Sequence, residues 1–171
     1  LLEGPQHNIE NLKKAIEAVV DRHEILRTVF RKNEKGEIRQ WIVSREELNF
    51  TVDFKDFRNE EDPSHSASAY LQTDRQQPFN LEKGPLMRVI IMQLKDHSYL
   101  LYVNMHHIIG DGWSMDVLQQ DTLAYYQAFN ANKKAALPAL KIQYKDYTAW
   151  QLDQLESEKS KKNKEFWLKK K

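Results

Sequence analysis

The sequence predicts an α+β fold in which a mixed sheet is covered by helices. Apolar residues recur at helical spacing in some segments and alternate with polar residues in others. The strands and helices follow one another without the strict alternation that produces a doubly wound parallel sheet. A chain of 171 residues, 40% hydrophobic and 30% charged, is long enough for one domain with a core and too short for two independent ones.

The first half of the chain predicts a helix, a hairpin, a strand and a second helix. Asn8 is a predicted N-cap, because apolar residues at helical spacing follow it. Asp62-Pro63-Ser64 is typical of a helix start, and Pro78 ends the same helix. The predicted spans are, in order, 9–20, 28–31 with 38–43, 50–54 and 62–77.

The second half predicts two long strands followed by helices. The strands, at 86–94 and 99–105, are joined by a tight turn. Helical spacing returns from Ser114 and, after a linker at 130–138, continues from Tyr144 to the end. An apolar cluster at 166–168 lies beside the chain end on a helix with no C-cap. We therefore expect this chain to be a lobe cut from a longer protein.

Composition and charge exclude several classes of function. The chain has no cysteine, which excludes disulfides, thiolate metal sites and a cysteine nucleophile. A formal net charge of +1 gives no reason to expect nucleic acid as a partner, and we interpret the lysines of residues 159–171 as a solvated helix face. No apolar run approaches the roughly 20 residues of a membrane-spanning helix, and the first residues lack the features of a secretory signal. These features predict a cytoplasmic protein without a membrane partner.

The segment 105–114 concentrates polar and special residues where a strand changes into a helix. Two of the five glycines of the chain flank Asp111. Glycine is favoured where a side chain does not fit or where φ is positive. We therefore expect a tight backbone here, with room beside Asp111.

Strand alternation distinguishes the two adjacent histidines of this segment. If the strand continues through His107, this residue shares a face with Val103 and Met105, whereas His106 shares the opposite face with Asn104. The face of His107 is the more apolar, so we expect it to be the more buried and only His107 to be a catalytic candidate. A neutral imidazole can take a proton from an attacking amine or hydroxyl, because its pKa lies near neutral pH.

The residues alone leave alternatives open. Asp111 can orient the histidine, or it can pair with an arginine and brace the loop. A histidine on an apolar strand face is more often a buried structural residue than a catalytic one. A metal site is disfavoured, because adjacent histidines on a strand diverge and no third ligand lies at a useful spacing. The sequence contains no nucleophile elbow, phosphate loop or dinucleotide loop.

Residues 105–114 resemble the His-His-x-x-x-Asp-Gly motif of condensation domains in non-ribosomal peptide synthetases. Three further blocks in the family's order carry the same resemblance. Residues 22–30 are similar to its Arg-His-Glu-x-Leu-Arg-Thr-x-Phe block, and residues 144–150 to its Tyr-x-Asp-Tyr-x-x-Trp block. Residues 78–86 are similar to its approach to the catalytic strand. The four blocks extend over nearly the whole chain.

The resemblance implies a chemistry and two residues that carry it. In condensation domains, the amine of an acceptor aminoacyl thioester attacks a donor thioester, and an amide bond forms. His107 corresponds to the histidine that positions, or deprotonates, this amine. Gly112 corresponds to the glycine that leaves space, with a backbone N–H, beside the reacting carbonyl.

The resemblance also implies structural support around these two residues. Asp111 is implied to be structural, with Arg27 as its salt-bridge partner, or Arg22 in its place. His106 is implied to pack away from the site, in agreement with the alternation argument. The polar and aromatic residues of the last block are expected to pack in the core or between lobes. They are Tyr144, Asp146, Tyr147 and Trp150.

Finally, the resemblance implies an architecture and partners. It implies a chloramphenicol-acetyltransferase-like α/β sandwich, one lobe of a two-lobed, V-shaped domain. Residues 1–171 then form the N-terminal lobe, without the first motif block or the C-terminal lobe, and we expect this lobe alone to be weakly active or inactive. The implied partners are donor and acceptor peptidyl carrier proteins, an adjacent adenylation domain and the missing C-terminal lobe. The phosphopantetheine arms of the carriers bring the substrates, and no covalent cofactor or metal is implied.

Three rival functions share parts of this pattern. An epimerisation domain has the same fold and histidine motif, but residues 113–114 and the block at 144–150 favour condensation. A free-standing acyltransferase that uses coenzyme A carries the short motif as well. A non-catalytic relative would keep the fold to dock a partner protein, and an intact second histidine argues against it.

Overall fold

The computed structural model describes residues 2–3 and 8–169. The chain divides into two compact units, Leu1–Pro138 and Ala139–Lys171. The first unit holds all the described strands, and the second holds two helices. Among the lysines of the predicted solvated face, Lys164 and Lys169 have described side chains, and both are exposed. The side chains of the other lysines of this face lie outside the described part of the structure.

The described strands and helices of the first unit follow one another without strict alternation, as the sequence predicts. A 3-10 turn at Glu24–Arg27 links the first helix to the second strand. The described strands are β1 (Leu2–Glu3), β2 (Thr28–Lys32), β3 (Ile38–Ile42), β4 (Val52–Asp56), β5 (Met87–Lys95) and β6 (Ser98–Met105). The described α-helices of this unit are α1 (Ile9–Arg22), α2 (Arg45–Leu48), α3 (Pro63–Gln76) and α4 (Gly112–Asn130).

The main sheet has the order β1-β6-β5-β4 and is mixed, as the sequence predicts. β5 pairs antiparallel with β6 and parallel with β4. In this register Arg88 lies opposite Asn104, and Met87 lies opposite Met105. β2 and β3 form a separate two-stranded sheet, which is the predicted hairpin.

Helices cover both faces of the main sheet and enclose two apolar clusters. The larger cluster joins α1, α4 and one face of β5, and Leu101, Val103 and Met105 of β6 pack against it. The smaller cluster joins Ala67 of α3 to the other face, where Tyr102 packs. The predicted alternation of β6 is therefore confirmed as far as Met105, and it gives the two faces of this strand different surroundings.

The predicted helix starts are confirmed by their caps. The side chain of Asn8 accepts a hydrogen bond from Asn11 N at 2.9 Å, and that of Asp62 accepts one from His65 N at 2.9 Å. Each cap satisfies an N–H group that has no partner within its own helix. The 3-10 turn and α2 are too short to leave a periodic apolar pattern in the sequence, and neither was predicted.

A polar cluster joins the end of α1 to the middle of α4. Asp121 Oδ2 accepts hydrogen bonds from Arg22 Nε at 2.9 Å and from His23 Nε2 at 2.7 Å. The three side chains are only 12–14% exposed. Charges so far from water need partners, because burying an unpaired charge is costly. This cluster therefore fixes α4 against α1 by charge as well as by apolar packing.

The second unit contains two helices where the sequence predicts one. α5 (Tyr144–Glu156) and α6 (Glu158–Leu168) meet at Ser157, whose extended backbone interrupts the helix and whose side chain caps α6. Within α5, the rings of Tyr144, Tyr147 and Trp150 follow one another at 5.9 and 5.7 Å. The three residues are 43–57% exposed, so within this unit they form an aromatic surface. Core packing is therefore wrong for them within this unit, and packing between lobes stays a prediction. Asp146 accepts from Gln143 N and completes a capping box.

Candidate active site at the turn between β6 and α4

The motif residues lie on a tight turn that connects β6 to α4. β6 ends at Met105, and His106 N still donates to Leu86 O of the neighbouring chain segment at 2.9 Å. His106 O then accepts from Ile109 N at 3.1 Å. This bond closes a four-residue turn with His107 and Ile108 at its two central positions. The pairing of β5 with β6 therefore determines where the turn begins.

His106 closes this turn with its side chain as well as its backbone. Its Nδ1 accepts a hydrogen bond from Ile108 N at 3.1 Å. This bond needs the lone pair of a neutral imidazole, and it has the same pattern as an aspartate or asparagine side chain in an Asx-turn. The ring itself lies 6.0 Å from that of Phe79, nearly perpendicular to it. His106 is therefore half-buried beside Phe79, although strand alternation led us to expect His107 to be the more buried of the two histidines.

His107 is exposed, and this differs from the sequence-based expectation. The expectation extended β6 by two residues and placed His107 on the apolar face with Met105. In the structure the strand ends first, and His107 occupies the first central position of the turn. The side chain thus lies at the surface of the first unit.

Asp111 begins α4 and is held by that helix. Its Oδ1 accepts from Ser114 N at 2.9 Å and from Ser114 Oγ at 2.8 Å, while Asp111 N donates to Ser114 Oγ at 3.2 Å. These bonds form a capping box. The hydrogen bonds from Ser114 lower the pKa of Asp111, and the charge of His107 acts in the same direction. Asp111 is therefore ionised at neutral pH, beside the turn that carries His107.

The predicted ion pair between Asp111 and Arg27 is not formed among the described residues. Arg27 donates to backbone carbonyls instead, to Val43 O at 2.7 Å and Val20 O at 3.2 Å. The alternative partner, Arg22, binds Asp121. The physical reason is that the N-terminus of α4 supplies Asp111 with its own donors, so that no arginine is needed there.

The two glycines beside Asp111 differ in their surroundings. A Cβ added to Gly110 would lie 2.5 Å from Cε of Met105, so this glycine permits close packing of the turn on β6. A Cβ added to Gly112 would meet nothing within 4 Å. Gly112 is the first residue of α4, and an N–H at this position has no acceptor within the helix. The close packing that the sequence predicts beside Asp111 is therefore found at Gly110, and the predicted open space is found at Gly112.

Three apolar residues close to His107 in the sequence are exposed. Trp113 is 81% exposed, and Ile108 and Val117 are also exposed. The described residues contain no group of histidine and acidic side chains arranged to hold a metal ion. No helix within the described ranges is long and apolar enough to cross a bilayer. The site therefore combines one exposed imidazole, an ionised carboxylate and an open helix N-terminus.

Comparison with known proteins shows which family this chain resembles in sequence. The family model described as the condensation domain matches residues 3–171. The phosphinothricin tripeptide synthetase PhsC of Streptomyces viridochromogenes is 36% identical over 160 residues, and bacitracin synthase 1 of Bacillus licheniformis is 34% identical over 168. These matches cover 92% and 98% of this chain, but only 14% and 3% of the two relatives.

Solved structures show the same fold. The starter condensation domain of rhizomide synthetase RzmA superposes with a TM-score of 0.88 at 24% identity, over 99% of this chain and 40% of that one. The SgcC5 protein of Streptomyces globisporus gives a TM-score of 0.75 at 24% identity, over 99% and 38% of the two chains. The sandwich predicted as one lobe is therefore confirmed as the fold of this chain. With a family match over nearly its whole length, the chain belongs to the condensation-domain family.

Proposed function

We propose that this chain is the histidine-bearing lobe of a condensation domain that forms an amide bond between two carrier-bound substrates. The exposure of His107, at a turn held by hydrogen bonds on both sides, is the observation that supports this most directly. A buried structural histidine is the main alternative on sequence grounds, and exposure argues against it.

The proposed reaction uses the residues of the turn as follows. The amine nitrogen of the acceptor attacks the carbonyl carbon of the donor thioester, the C–N bond forms, and the C–S bond breaks to release the donor arm as a thiol. His107 positions the amine and accepts its proton, which the leaving thiolate finally takes up. Gly112 leaves room for the reacting carbonyl and offers its N–H to the developing oxyanion. Asp111 holds the turn through its bonds to Ser114.

The rest of the site belongs, in this proposal, to a part of the domain outside these 171 residues. The chain spans about 40% of the RzmA condensation domain that it superposes on. The exposed apolar surface around Trp113 is where a second lobe would exclude water from the reaction. Carrier proteins, an adenylation domain and this second lobe are the proposed partners.

The reaction class is tested in the full-length protein that contains this chain. Donor and acceptor carriers are loaded with aminoacyl groups, and intact-protein mass spectrometry follows the acceptor carrier. The proposal expects the dipeptidyl mass on the acceptor only when both carriers are loaded. Deuterium uptake at the α-carbon without transfer would instead show an epimerase, and transfer from coenzyme A thioesters without carriers would show a free-standing acyltransferase. Carrier binding without any reaction would show a docking protein.

Two substitutions of His106 test its role as the residue that closes the turn. His106→Leu removes the acceptor of the Ile108 N–H, and the loss of one hydrogen bond of about 1 kcal/mol is expected to lower kcat about five- to tenfold. His106→Asn places an amide oxygen where it can accept the same N–H, as in an Asx-turn, and is expected to keep kcat within about threefold of the parent. Steady-state kinetics at saturating acceptor measure both. Equal losses in the two variants would show that the imidazole itself is required.

A further inference from the structure

A polar and aromatic network on the α3 side of the sheet leads to His106. We propose that Asp74, Arg88 and Phe79 are positioning residues, which fix the ring of His106 and, through it, the turn that carries His107. This inference rests on the proposed function for its catalytic readout. It assigns a role to Phe79, which lies in the block 78–86, to which the family resemblance gave no role.

The network begins at Asp74, in the last turn of α3. An acidic residue is disfavoured there, because the C-terminus of a helix carries partial negative charge. Its side chain is nevertheless only 11% exposed. Its Oδ2 accepts from Tyr102 Oη and from Asn104 Nδ2, each at 2.9 Å, and its Oδ1 accepts from Arg88 Nε at 2.7 Å. Burial acts to raise the pKa of Asp74, but the bonds from Asn104, Tyr102 and Arg88 outweigh it and lower the pKa. The carboxylate is therefore charged, and it ties α3 to β5 and β6.

Arg88 is fixed on three sides by this arrangement. Besides the carboxylate, its Nη2 donates to Asp74 O at 2.9 Å and to Gln77 O at 3.0 Å, which satisfies carbonyls at the end of α3. Its guanidinium carbon lies 4.0 Å from the ring centroid of Phe79. A planar guanidinium held in this way stacks on an aromatic face, which an ammonium group does less well. The orientation of the Phe79 ring therefore depends on Arg88.

Phe79 transmits this order to the turn. Its ring meets the ring of His106 at 6.0 Å and 85°, an edge-to-face arrangement. The alternation of β6 brings these groups together, because Tyr102, Asn104 and His106 lie on the same side of the strand and its extension. His106 Nδ1 must point at Ile108 N to close the turn. A ring free to rotate would lose that bond for part of the time, and His107 would lose its fixed position.

The test removes the Phe79 ring in the full-length protein. Phe79→Leu keeps an apolar side chain. It is expected to lower kcat about fivefold and to leave KM within about twofold of the parent, because the substitution loosens the turn that carries His107 without changing substrate binding. The matched control is Phe57→Leu. Phe57 is equally half-buried and makes an edge-to-face pair with Tyr70 at 6.1 Å, away from His106. Phe57→Leu is expected to leave kcat unchanged.

A double-variant cycle separates positioning from general destabilisation. If Phe79 acts through His106, then Phe79→Leu combined with His106→Leu lowers kcat no further than His106→Leu alone. If the losses in kcat of the two single variants multiply in the double variant, the proposal is wrong. Equal losses of kcat in Phe79→Leu and Phe57→Leu would also overturn it. If Phe79→Leu does not fold, Asp74→Asn provides a second variant at the start of the network. It is expected to lower kcat about threefold.

A readout without turnover keeps the inference distinct from the proposed function. Hydrogen–deuterium exchange of the peptide that contains Ile108 and Ile109 is expected to be faster in Phe79→Leu and unchanged in Phe57→Leu. If the parent protein forms no amide bond but this difference is seen, the proposed function fails and the positioning network stands. If amide bonds form and neither exchange nor kcat responds to Phe79→Leu, the positioning network fails alone.

Discussion

His107→Ala is expected to lower kcat for amide-bond formation by about 10²- to 10⁴-fold, the range in which a positioned acid–base group contributes to catalysis. The side chain is exposed at the centre of the turn, so its removal leaves no cavity and breaks no described hydrogen bond. Stability is therefore expected to stay unchanged while the rate falls. Rapid-quench measurement of the acceptor-bound product checks the rate, and thermal unfolding checks the fold.

The chain offers a matched control for this substitution. His97 is also an exposed histidine in a turn, at the opposite end of β6. His97→Ala is expected to behave like the parent in both measurements. A rate for His107→Ala within about threefold of the parent would remove this residue from the proton transfer and leave it at most a minor positioning role.

The second large effect concerns stability. Asp121→Ala removes the carboxylate that binds the side chains of Arg22 and His23. These two side chains are only 12% and 13% exposed. Removing one partner of a buried ion pair typically costs about 3 kcal/mol. The loss is expected in α1 and α4 together, since the bonds join residues 98 and 99 positions apart. Hydrogen–deuterium exchange of peptides from the two helices in the full-length protein measures the local free energy of opening.

A second aspartate on the same helix serves as the control. Asp116 lies on α4 and is exposed. Asp116→Ala is expected to change the opening free energy by no more than about 0.5 kcal/mol. Comparable changes in the two variants would mean that Asp121 acts through the charge of α4 as a whole and not through its bonds to α1.

Much of the fold could be predicted because it is encoded locally. The N-caps at Asn8 and Asp62, the hairpin at residues 28–42 and the alternation of β6 all depend on near neighbours in the sequence. Each follows from periodicity or from capping chemistry. The described elements that were missed, β1, the 3-10 turn and α2, span only two to four residues each, which is too short for an apolar pattern to repeat.

The candidate site could be predicted in composition but not in geometry. The roles of His107 and Gly112 stay predictions, whereas their placement can be compared with the structure. The strand ends two residues before His107, because the turn is stabilised by hydrogen bonds of His106 that no apolar pattern reveals. The predicted ion-pair partner of Asp111, Arg27, was wrong for a related reason. Ser114, three residues later, satisfies it, and the sequence signal for this was a capping box already present at 111–114. Asp74 was missed as well, although an acidic residue in the last turn of a helix is a signal of a tertiary partner.

The capping box at the start of α4 has a consequence for the order of folding. The bonds that form within residues 106–114 span at most three positions along the chain, so little loop entropy is lost when they form. The cluster at Asp121 instead brings together residues almost a hundred positions apart. Contacts of short range form early in folding, and those of long range form late. We therefore expect the turn at residues 106–109 to acquire its shape once β5 and β6 have paired, and the docking of α4 onto α1 to follow.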